Sequence, residues 1–430
     1  MRQLFSERTG LIDTENAFKI GPQIAEIERA GHRVIKLNLG EPDFNIPTFI
    51  KDEIKAQIDL NNTHYCDPKG LLSLRTAIAH QLEETRDLKY SPEQIVIFPG
   101  AKPIIGFCQQ TYCNPGDEII YPSPGFPIYE SFIRYVGATP VPLHLREENG
   151  FQLTADELAA LITLRTKLII LNFPSNPTGG VATPEQLTSL AQIINQECDE
   201  SVRILSDEIY EYIVFDGKKH VSPACFEGMQ QRTIVSSGFS KTFAWTGGRI
   251  GYAAFPTVEE AEVIKNLNIN YFSCIPPYNQ EGAREAYEHI DTPATVRSMV
   301  ATFEHRRNVI LGKLNEIDGM TCTKPGGAFY LFPNIEGACE KLGILKAYED
   351  LPAEDKEKTS PSTLFQSFAL KRHHVAVMDR RSFGRIGAQG QHYIRLSCAA
   401  DLAVLEKGVE RLAQACLDRE GCKAFLQGDH

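Results

Sequence analysis

Seven short apolar runs between residues 94 and 255 constrain the fold of this chain most strongly. Segments with helical spacing separate most of them, which is the order expected of a parallel sheet with helical crossovers. Because the runs are apolar throughout, helices should cover both faces of the sheet. The sequence therefore predicts the α/β class, with a mainly parallel, seven-stranded sheet in a large domain. The runs are QIVIFPG, EIIYPSP, TPVPLHL, KLIILNFP, VRILSDE, TIVSSGFS and IGYAAF, and helices are predicted at 101–112, 126–136, 154–162 and 183–198.

The remaining segments predict a second, smaller α+β domain. Residues 1–45 are assigned to an N-terminal arm and the start of this domain, 46–315 to the large domain and 316–430 to the small C-terminal domain. A long helical region over 277–316, with a break near Pro293, joins the two, and the charged segment 343–362 is predicted to be a surface excursion. Further helices are predicted at 20–30, 47–60, 70–86, 361–372 and 401–418, strands at 34–40, 375–378 and 392–398, and a hairpin at 320–333.

Charge and cysteine content limit the classes of partner. Lys and Arg number 44 against 55 Asp and Glu, a net charge of −11 with no basic stripe, which disfavours nucleic acid and anionic membranes and favours a small metabolite. The start MRQLFSERTGLIDTENAF lacks the pattern of a signal peptide, and no apolar run is long enough to span a membrane, so we expect a cytoplasmic protein. The 11 cysteines form no CxxC pair, so free thiols and no bound metal are expected.

The stretch SSGFSKTFAWTGGRIGY, residues 236–252, places Lys241 directly after a buried strand. Its aromatic neighbours Phe239, Phe243 and Trp245 are expected to desolvate the amine, lower its pKa and leave it able to attack a carbonyl. Arg249 adds a fixed cation, and the nearby glycines let backbone approach a ligand closely. This combination suggests pyridoxal phosphate, a phosphorylated aldehyde. A lysine that snorkels to the surface between aromatic residues is the alternative.

Four other groups of residues follow predicted strands, where ligands of such sheets bind. Gly100-Ala101-Lys102 would expose backbone N–H groups to an anion, or form an ordinary turn. Phe126 could stack on a flat ring or pack in the core. Asn176, in NPTG, could aim its amide at a ring oxygen or form a turn.

The fourth group is SDEIY, which ends a predicted strand with Asp207. A buried carboxylate there could keep a pyridine nitrogen protonated, the arrangement that makes this cofactor an electron sink. Tyr210, one helical turn further on the same side, could then hydrogen-bond the ring hydroxyl oxygen. A helix N-cap is the alternative role for the aspartate.

In this order and spacing, NPTG, SDEIY, SKTFAWTGGRIGY and YIRLSC resemble the class I aminotransferases, the fold type I pyridoxal-phosphate enzymes, and their aspartate and aromatic members in particular. The resemblance implies that Lys241 forms the Schiff base and then shuttles the proton as a base. It also implies a homodimer with shared active sites, because Tyr65 matches a tyrosine that reaches the phosphate of the neighbouring subunit.

The resemblance assigns the other site residues as follows. Asp207 would bind the pyridinium nitrogen, Asn176 and Tyr210 the ring hydroxyl oxygen, and Phe126 would stack on the ring. Arg395 would clamp the substrate α-carboxylate, with Gly40 and Asn176 nearby. The ligands of the cofactor phosphate and of the groups next to it would be Gly100, Ala101, Lys102, Arg249 and Ser240.

Three segments depart from the family pattern. Gly238 stands where many relatives have a serine that holds the phosphate, so Ser237 or Ser240 is expected to replace it. DRRSFG, residues 379–384, stands where relatives often have a small Pro-Gly-Ser-like turn, and Arg380 and Arg381 could face solvent or alter the pocket mouth. The excursion at 343–362 is longer than usual.

These features predict an enzyme of the aminotransferase type, which moves an amino group between an L-amino acid and 2-oxoglutarate. Aspartate or an aromatic amino acid is the favoured donor, because Lys102 stands where relatives that use dicarboxylic amino acids can have a lysine. The alternatives are a lyase of the same fold that acts on a C–S bond, and a non-catalytic regulator that kept the fold.

Overall fold

The structure, a computed structural model, describes residues 4–13 and 16–428. The predicted arm and C-terminal domain therefore extend, at 1–3, 14–15 and 429–430, outside the described residues. The strands are β1 Ile35–Lys36, β2 Ile95–Phe98, β3 Glu118–Ser123, β4 Thr139–His144, β5 Thr166–Asn172, β6 Arg203–Asp207, β7 Thr233–Gly238, β8 Gly251–Ala254, β9 Tyr330–Leu331, β10 Val375–Ala376, β11 Met378–Asp379 and β12 Ile394–Ser397.

Helices flank these strands throughout the described chain. They are α1 Asn16–Lys19, α2 Gly21–Arg29, α3 Thr48–Asp59, α4 Leu72–Arg86, α5 Lys102–Tyr112, α6 Ile128–Tyr135, α7 Ala155–Ala159, α8 Pro184–Glu197, α9 Phe239–Thr242, α10 Val258–Phe272, α11 Pro277–Glu288, α12 Thr292–Asn315, α13 Glu336–Lys341, α14 Ile344–Glu349, α15 Ala353–Lys356, α16 Pro361–His373, α17 Leu402–Leu417 and α18 Arg419–Leu426. No helix in 4–13 or 16–428 has the length and apolar character needed to cross a membrane.

The central sheet has seven strands in the order β2-β8-β7-β6-β5-β3-β4, and β8 alone runs antiparallel to its two neighbours. The predicted α/β class with a mainly parallel sheet is confirmed. Every residue of β3 and β7 is buried, because helices pack on both faces. β4 is a partly exposed edge strand, and its Pro140 and Pro142 are tolerated there because an edge strand can leave N–H positions unpaired.

The smaller region is built around two short sheets. β1 pairs in parallel with β10, and β9, β12 and β11 form an antiparallel sheet. The predicted strand at 375–378 is thus divided between the two sheets. One hydrophobic cluster joins Ile35 and Leu37 to residues from Met299 onward and also includes Tyr210, Ile213 and Phe215, so the N-terminal segment packs with the C-terminal region and with the turn after β6.

Several predicted elements differ from those observed. The segment 343–362 contains α14 and α15, and Ile344 is fully buried, so the excursion is helical and anchored. The predicted strand 34–40 keeps only two residues of ladder, and the hairpin 320–333 is reduced to β9 and a single bridge between Thr321 and Asn334. α10 lies where no element is predicted, although Thr257 caps it by accepting a hydrogen bond from the Glu260 N–H.

Candidate active site

A cavity of about 570 Å³ lies at the carboxyl edge of the central sheet, beside the ends of β5, β6 and β7. Chain segments that are distant in sequence meet there because the loops after parallel strands gather at one edge. Two predicted residues, Gly100 and Tyr65, do not line it. The predicted residues that do are Gly40, Ala101, Lys102, Phe126, Asn176, Asp207, Tyr210, Ser240, Lys241, Arg249 and Arg395.

Lys241 is carried into the cavity by the short helix α9, which follows β7 directly. Its Nζ donates a hydrogen bond of 2.6 Å to the backbone oxygen of Gly40. The expectation that Phe239 and Phe243 crowd this amine is wrong. Those two rings stack with their centroids 5.6 Å apart in a buried cluster against which Trp245 packs, and none of the three lines the cavity. Positions i and i+4 share a helix face, which here is the core face.

Asp207 is the last residue of β6, and its side chain is buried at the base of the cavity. The Tyr129 hydroxyl donates a hydrogen bond of 2.6 Å to Oδ2, and the Ile209 N–H donates one of 3.4 Å to Oδ1. Burial raises the pKa of Asp207 to about 6, while the Tyr129 hydrogen bond acts in the opposite direction. Burial thus favours the protonated carboxyl group, and the Tyr129 hydrogen bond favours the carboxylate.

Tyr210 follows β6 in a turn, not in the helical turn that the sequence predicts. Its hydroxyl lies 2.8 Å from that of Tyr330, and burial together with this neighbour raises the pKa of Tyr210 well above its ordinary value. Tyr330 also closes the space beside Gly40, because a Cβ at position 40 would lie 2.0 Å from the Tyr330 hydroxyl oxygen. The two tyrosines form a hydroxyl pair on the cavity wall.

Arg395 projects from β12 and is buried. Its Nη1 donates a 2.9 Å hydrogen bond to Oδ1 of Asn176, and its Nη2 donates a 2.6 Å hydrogen bond to the Asn38 backbone oxygen. The guanidinium lies 4.4 Å from the Tyr330 ring centroid and 4.8 Å from that of Phe383. Stacking between two rings fixes the plane of the guanidinium, which suits a planar carboxylate.

Arg249 lies against the turn that follows β2. Its Nη2 donates a 3.1 Å hydrogen bond to the Pro99 oxygen, and a Cβ on Gly100 would lie 2.2 Å from that Nη2. Gly100 has φ +87°, so this position favours glycine for its backbone as well as for space. Although Gly100 does not line the cavity, its missing side chain lets Arg249 pack against the turn.

Lys102 begins α5, and its Nζ lies 5.7 Å from the centroid of the Phe126 ring. Lys102 is exposed and Phe126 half-buried, so the pair forms the solvent side of the cavity. Of the two serines expected to replace the one absent at Gly238, only Ser240 lines the cavity. The Ser237 hydroxyl donates instead to Oε1 of Glu211, at 2.6 Å, on the buried side of the sheet.

Tyr65 lies in the loop between α3 and α4 and is 88% exposed. It is outside the cavity of its own chain, so any contact with a cofactor would have to be made in another subunit.

Several lining residues were not predicted from the sequence, notably Tyr129, Tyr330, Asn172 and Ser382. Asn172 ends β5, and its side chain donates a 2.9 Å hydrogen bond to the Asp207 backbone oxygen and accepts one of 3.0 Å from the Asn176 N–H. The sequence itself shows this pair: Asn172 follows the apolar residues of KLIILNFP, and Asp207 follows those of VRILSDE. The two strands are neighbours in the sheet. Tyr129 lies one helical turn after Phe126, a spacing that places both on one side of the chain.

The DRRSFG segment contributes Ser382 and Phe383 to the cavity wall, whereas Arg380 and Arg381 do not line it. Arg380 is fully buried, donates to the Gln391 side chain at 2.6 Å and to the Ser123 hydroxyl at 3.1 Å, and so does not face solvent. Burial lowers the pKa of Arg380 to about 10. Arg381 donates to the backbone oxygens of Lys356, Glu357 and Thr359 and thereby attaches the end of the helical excursion to the wall of the site.

The family model for aminotransferases of class I and II matches residues 32–412. The chain belongs to this family. It is 34% identical over 416 residues to a probable aspartate/prephenate aminotransferase of Aquifex aeolicus, covering 96% of this chain and 99% of that protein. It is 34% identical over 388 residues to aromatic-amino-acid aminotransferase 2 of Thermococcus litoralis, covering 90% and 92%.

A solved structure extends the likeness to the fold. The aspartate aminotransferase of Rhizobium meliloti superposes with a TM-score of 0.86 at 31% identity, covering 96% of this chain and 99% of that one. This chain is therefore an aminotransferase of fold type I that uses pyridoxal 5′-phosphate, and amino acids are its substrates.

The donor set of the cavity fits that cofactor. One cavity offers the Lys241 amine for an aldehyde, a buried carboxylate at Asp207 for a protonated ring nitrogen, and the Arg249 guanidinium for a phosphate.

Proposed function

We propose that this aminotransferase moves an amino group between L-aspartate or an aromatic L-amino acid and 2-oxoglutarate. The observation that carries the proposal is that one cavity holds the Lys241 amine, the buried Asp207 carboxyl group and the stacked Arg395 guanidinium, with Lys102 and Phe126 on its solvent side. Relatives named for aspartate/prephenate and for aromatic amino acids support the choice of donor.

When bound, pyridoxal 5′-phosphate supplies an electron sink for the bond broken at the substrate Cα. In this proposal Asp207 holds the proton at the ring nitrogen, and Tyr129 keeps that carboxylate oriented. Asn176 and Tyr210 would hydrogen-bond the ring hydroxyl oxygen, and Phe126 would stack on the ring.

The phosphate would be held mainly by groups near the start of α5 and the end of α9. The N-terminus of α5, at Ala101 and Lys102, has no side-chain cap, and the positive end of a helix favours an anion. Arg249 adds a cation, Ser240 a hydroxyl and Gly100 the space for the arginine. Tyr65 of a second subunit would complete this set.

Three side chains would act on the substrate directly. Arg395 binds the α-carboxylate with its stacked guanidinium, and Asn176 and the Gly40 backbone lie beside it. Binding of the α-carboxylate at Arg395 would orient the substrate and so select which bond at Cα is broken. The Lys241 Nζ would take the proton from the substrate Cα as a general base and deliver it to the cofactor carbon as a general acid, and with the oxo-acid acceptor it would move the proton in the reverse direction. Lys102 binds the distal carboxylate of dicarboxylic substrates.

We infer that the active unit is a homodimer. Tyr65 is 88% exposed, and the neighbouring Leu60 and Leu72 are exposed at 72% and 57%, so this segment presents apolar surface suited to a subunit interface. Light scattering should give about twice the chain mass of 48.0 kDa, and a monomeric active enzyme would contradict the inference.

We also propose a cytoplasmic location and domain boundaries near 45/46 and 315/316. The 11 cysteines are all free thiols, which suits a reducing compartment. The hydrophobic cluster that joins Ile35 and Leu37 to the C-terminal region supports the first boundary.

The test of the function is a panel of L-amino acids, each assayed with 2-oxoglutarate for formation of glutamate and the matching 2-oxo acid. Aspartate or an aromatic amino acid should give the highest kcat/KM, and glutamate formation should require the oxo-acid acceptor. Release of pyruvate and ammonia from one amino acid without an acceptor would contradict amino transfer and indicate a lyase.

A further inference from the structure

A carboxylate is buried behind the active site, on the side of the central sheet that faces away from the cavity. It belongs to Glu208, which follows Asp207 directly. Neighbouring residues of an extended chain point to opposite faces, and accordingly Asp207 lines the cavity whereas Glu208 does not and is fully buried. A buried carboxylate is costly unless other groups pair with it, so its partners show what it does there.

Four side chains converge on the Glu208 carboxylate. Its Oε1 accepts hydrogen bonds from the Ser206 hydroxyl at 2.8 Å and from the Ser222 hydroxyl at 2.6 Å. Its Oε2 lies 2.7 Å from Nε2 of His220 and 3.4 Å from Nη1 of Arg86. Burial acts to raise the pKa of Glu208, but His220 and Arg86 outweigh burial and lower that pKa to about 2. Glu208 therefore stays ionised.

Glu208 also ties the end of β6 to β7. Its N–H donates a hydrogen bond of 2.8 Å to the Ser236 oxygen, which continues the ladder between the two strands. The Ser237 hydroxyl donates to the Glu208 backbone oxygen at 3.4 Å. Because β7 leads directly into α9, the segments that carry Asp207 and Lys241 are joined behind the cavity.

Arg86 brings α4 into the same contact. It is the last residue of that helix, and its side chain is only 5% exposed. Its guanidinium pairs with Glu211 through Nη2 as well as with Glu208. One cation thus serves two buried carboxylates, and little water is present to screen the charge of Glu208 from Asp207.

The charge of Glu208 acts on Asp207. Burial is the larger cause of the raised pKa of Asp207, and the charge of Glu208 adds to it, whereas the Lys241 amine acts in the opposite direction. Loss of the Glu208 charge should therefore lower the proton affinity of Asp207. Other titratable groups that face the two carboxylates stay neutral at neutral pH, because burial raises the pKa of each; they are Tyr90, Tyr129, Tyr210 and Cys225.

We propose that Glu208 is a positioning residue for amino transfer. It holds the ends of β6 and β7, and with them Asp207 and Lys241, at a fixed separation. Its charge increases the proton affinity of the pair that Asp207 forms with the cofactor ring nitrogen. Arg86 and His220 keep Glu208 itself in place. This inference rests on the proposed roles of Asp207 and Lys241.

Glu208→Gln tests the effect of the charge. The variant keeps the shape of the side chain and an oxygen that can accept from the two serines. Two midpoints should move to lower pH by about one unit: that of the acidic limb of kcat/KM, and that of the absorbance change of bound pyridoxal 5′-phosphate. A side chain that only supported the fold would lower kcat without moving either midpoint.

His220 allows a test that leaves the carboxylate in place. His220→Ala removes the 2.7 Å contact with Glu208 and should lower kcat by about tenfold with KM unchanged, because His220 lies outside the cavity. His220→Gln offers an amide donor and should restore most of the loss. The matched control is His373→Ala: the His373 ring lies 3.1 Å from the Asp418 carboxylate but outside the cavity, and kcat should equal that of the wild type.

The proposal is overturned if neither midpoint moves in Glu208→Gln. Should that variant fail to fold, equal kcat values in His220→Ala and His373→Ala overturn it instead. Either result leaves amino transfer intact as long as the wild type turns over aspartate or an aromatic amino acid. Absence of that turnover in the wild type would contradict the proposed substrates themselves.

Discussion

The Tyr129 hydroxyl donates a hydrogen bond of 2.6 Å to Oδ2 of Asp207. Both groups are buried, so the bond forms where water cannot replace it. It opposes the effect of burial on the Asp207 pKa and favours the charged carboxylate. In the proposed mechanism this bond keeps the carboxylate ionised and aimed at the ring nitrogen.

Tyr129→Phe removes that donor and leaves the ring in place. The pKa of Asp207 should rise above about 6, so the acidic limb of the kcat/KM profile should move to higher pH. Loss of a hydrogen bond to a charged group, about 1.5–3 kcal/mol, predicts a fall in kcat of about tenfold or more. Profiles between about pH 5 and 9 measure both effects.

The control for this variant is Tyr271→Phe. The Tyr271 hydroxyl also donates to a side chain, that of Gln110, but it lies on α10 outside the cavity. If the acidic limb of the profile does not move in Tyr129→Phe, this hydrogen bond does not control the pKa of Asp207.

Asp207→Asn should stabilise the cofactor-free protein at neutral pH. Because burial raises the pKa of Asp207 to about 6 from its ordinary value of 3.8, the folded state binds this proton more tightly than the unfolded state. The free energy of unfolding therefore falls as pH rises through that window. Asparagine does not ionise, so the variant should gain about 1–3 kcal/mol above about pH 6 and lose its advantage near about pH 4.

Urea unfolding at about pH 4.5 and about pH 7.5 measures this difference, and the same variant should need more cofactor for saturation. If the cofactor-free wild type were the more stable of the two at the higher pH, other contacts would have to compensate the buried carboxylate.

The sequence predicted the part of the site that depends on strand order. Residues at the ends of successive parallel strands must meet at one edge, so strand order alone was enough to place Asn176 and Asp207 together. Lys241 and Arg249 were placed in the site because they come after another predicted strand. These predictions needed only strand boundaries, which apolar runs mark well.

Side-chain direction was harder to predict. Phe239 and Phe243 flank Lys241 in sequence, yet the short helix α9 turns both rings into the core and leaves other aromatic residues around the cavity. Tyr330 reaches the site from the small C-terminal region, and no local pattern links it to Tyr210. Contacts of this kind depend on packing between distant segments, which periodicity does not encode.

Gly40→Ala should disturb Tyr330. The added Cβ would lie 2.0 Å from the Tyr330 hydroxyl oxygen, so the ring or the loop must move, and the Gly40 oxygen that accepts from Lys241 moves with the loop. We expect kcat/KM to fall at least about tenfold, because small misplacements near reacting groups are costly.

Gly312→Ala is the control for this change, since a Cβ there meets open space on α12 and alanine favours the helix. Its activity and melting temperature should equal or exceed those of the wild type. Full activity in Gly40→Ala would contradict this prediction, because it would show that Tyr330 can move without affecting catalysis.

The most direct test of the proposed chemistry concerns the Lys241 amine. The protein saturated with pyridoxal 5′-phosphate is reduced with borohydride and digested, and the modified peptide is identified by mass spectrometry. We expect a pyridoxyl group on Lys241, and loss of both the label and the cofactor absorbance in Lys241→Ala. A label on another lysine, or an absorbance band that survives in Lys241→Ala, would contradict the assignment of Lys241.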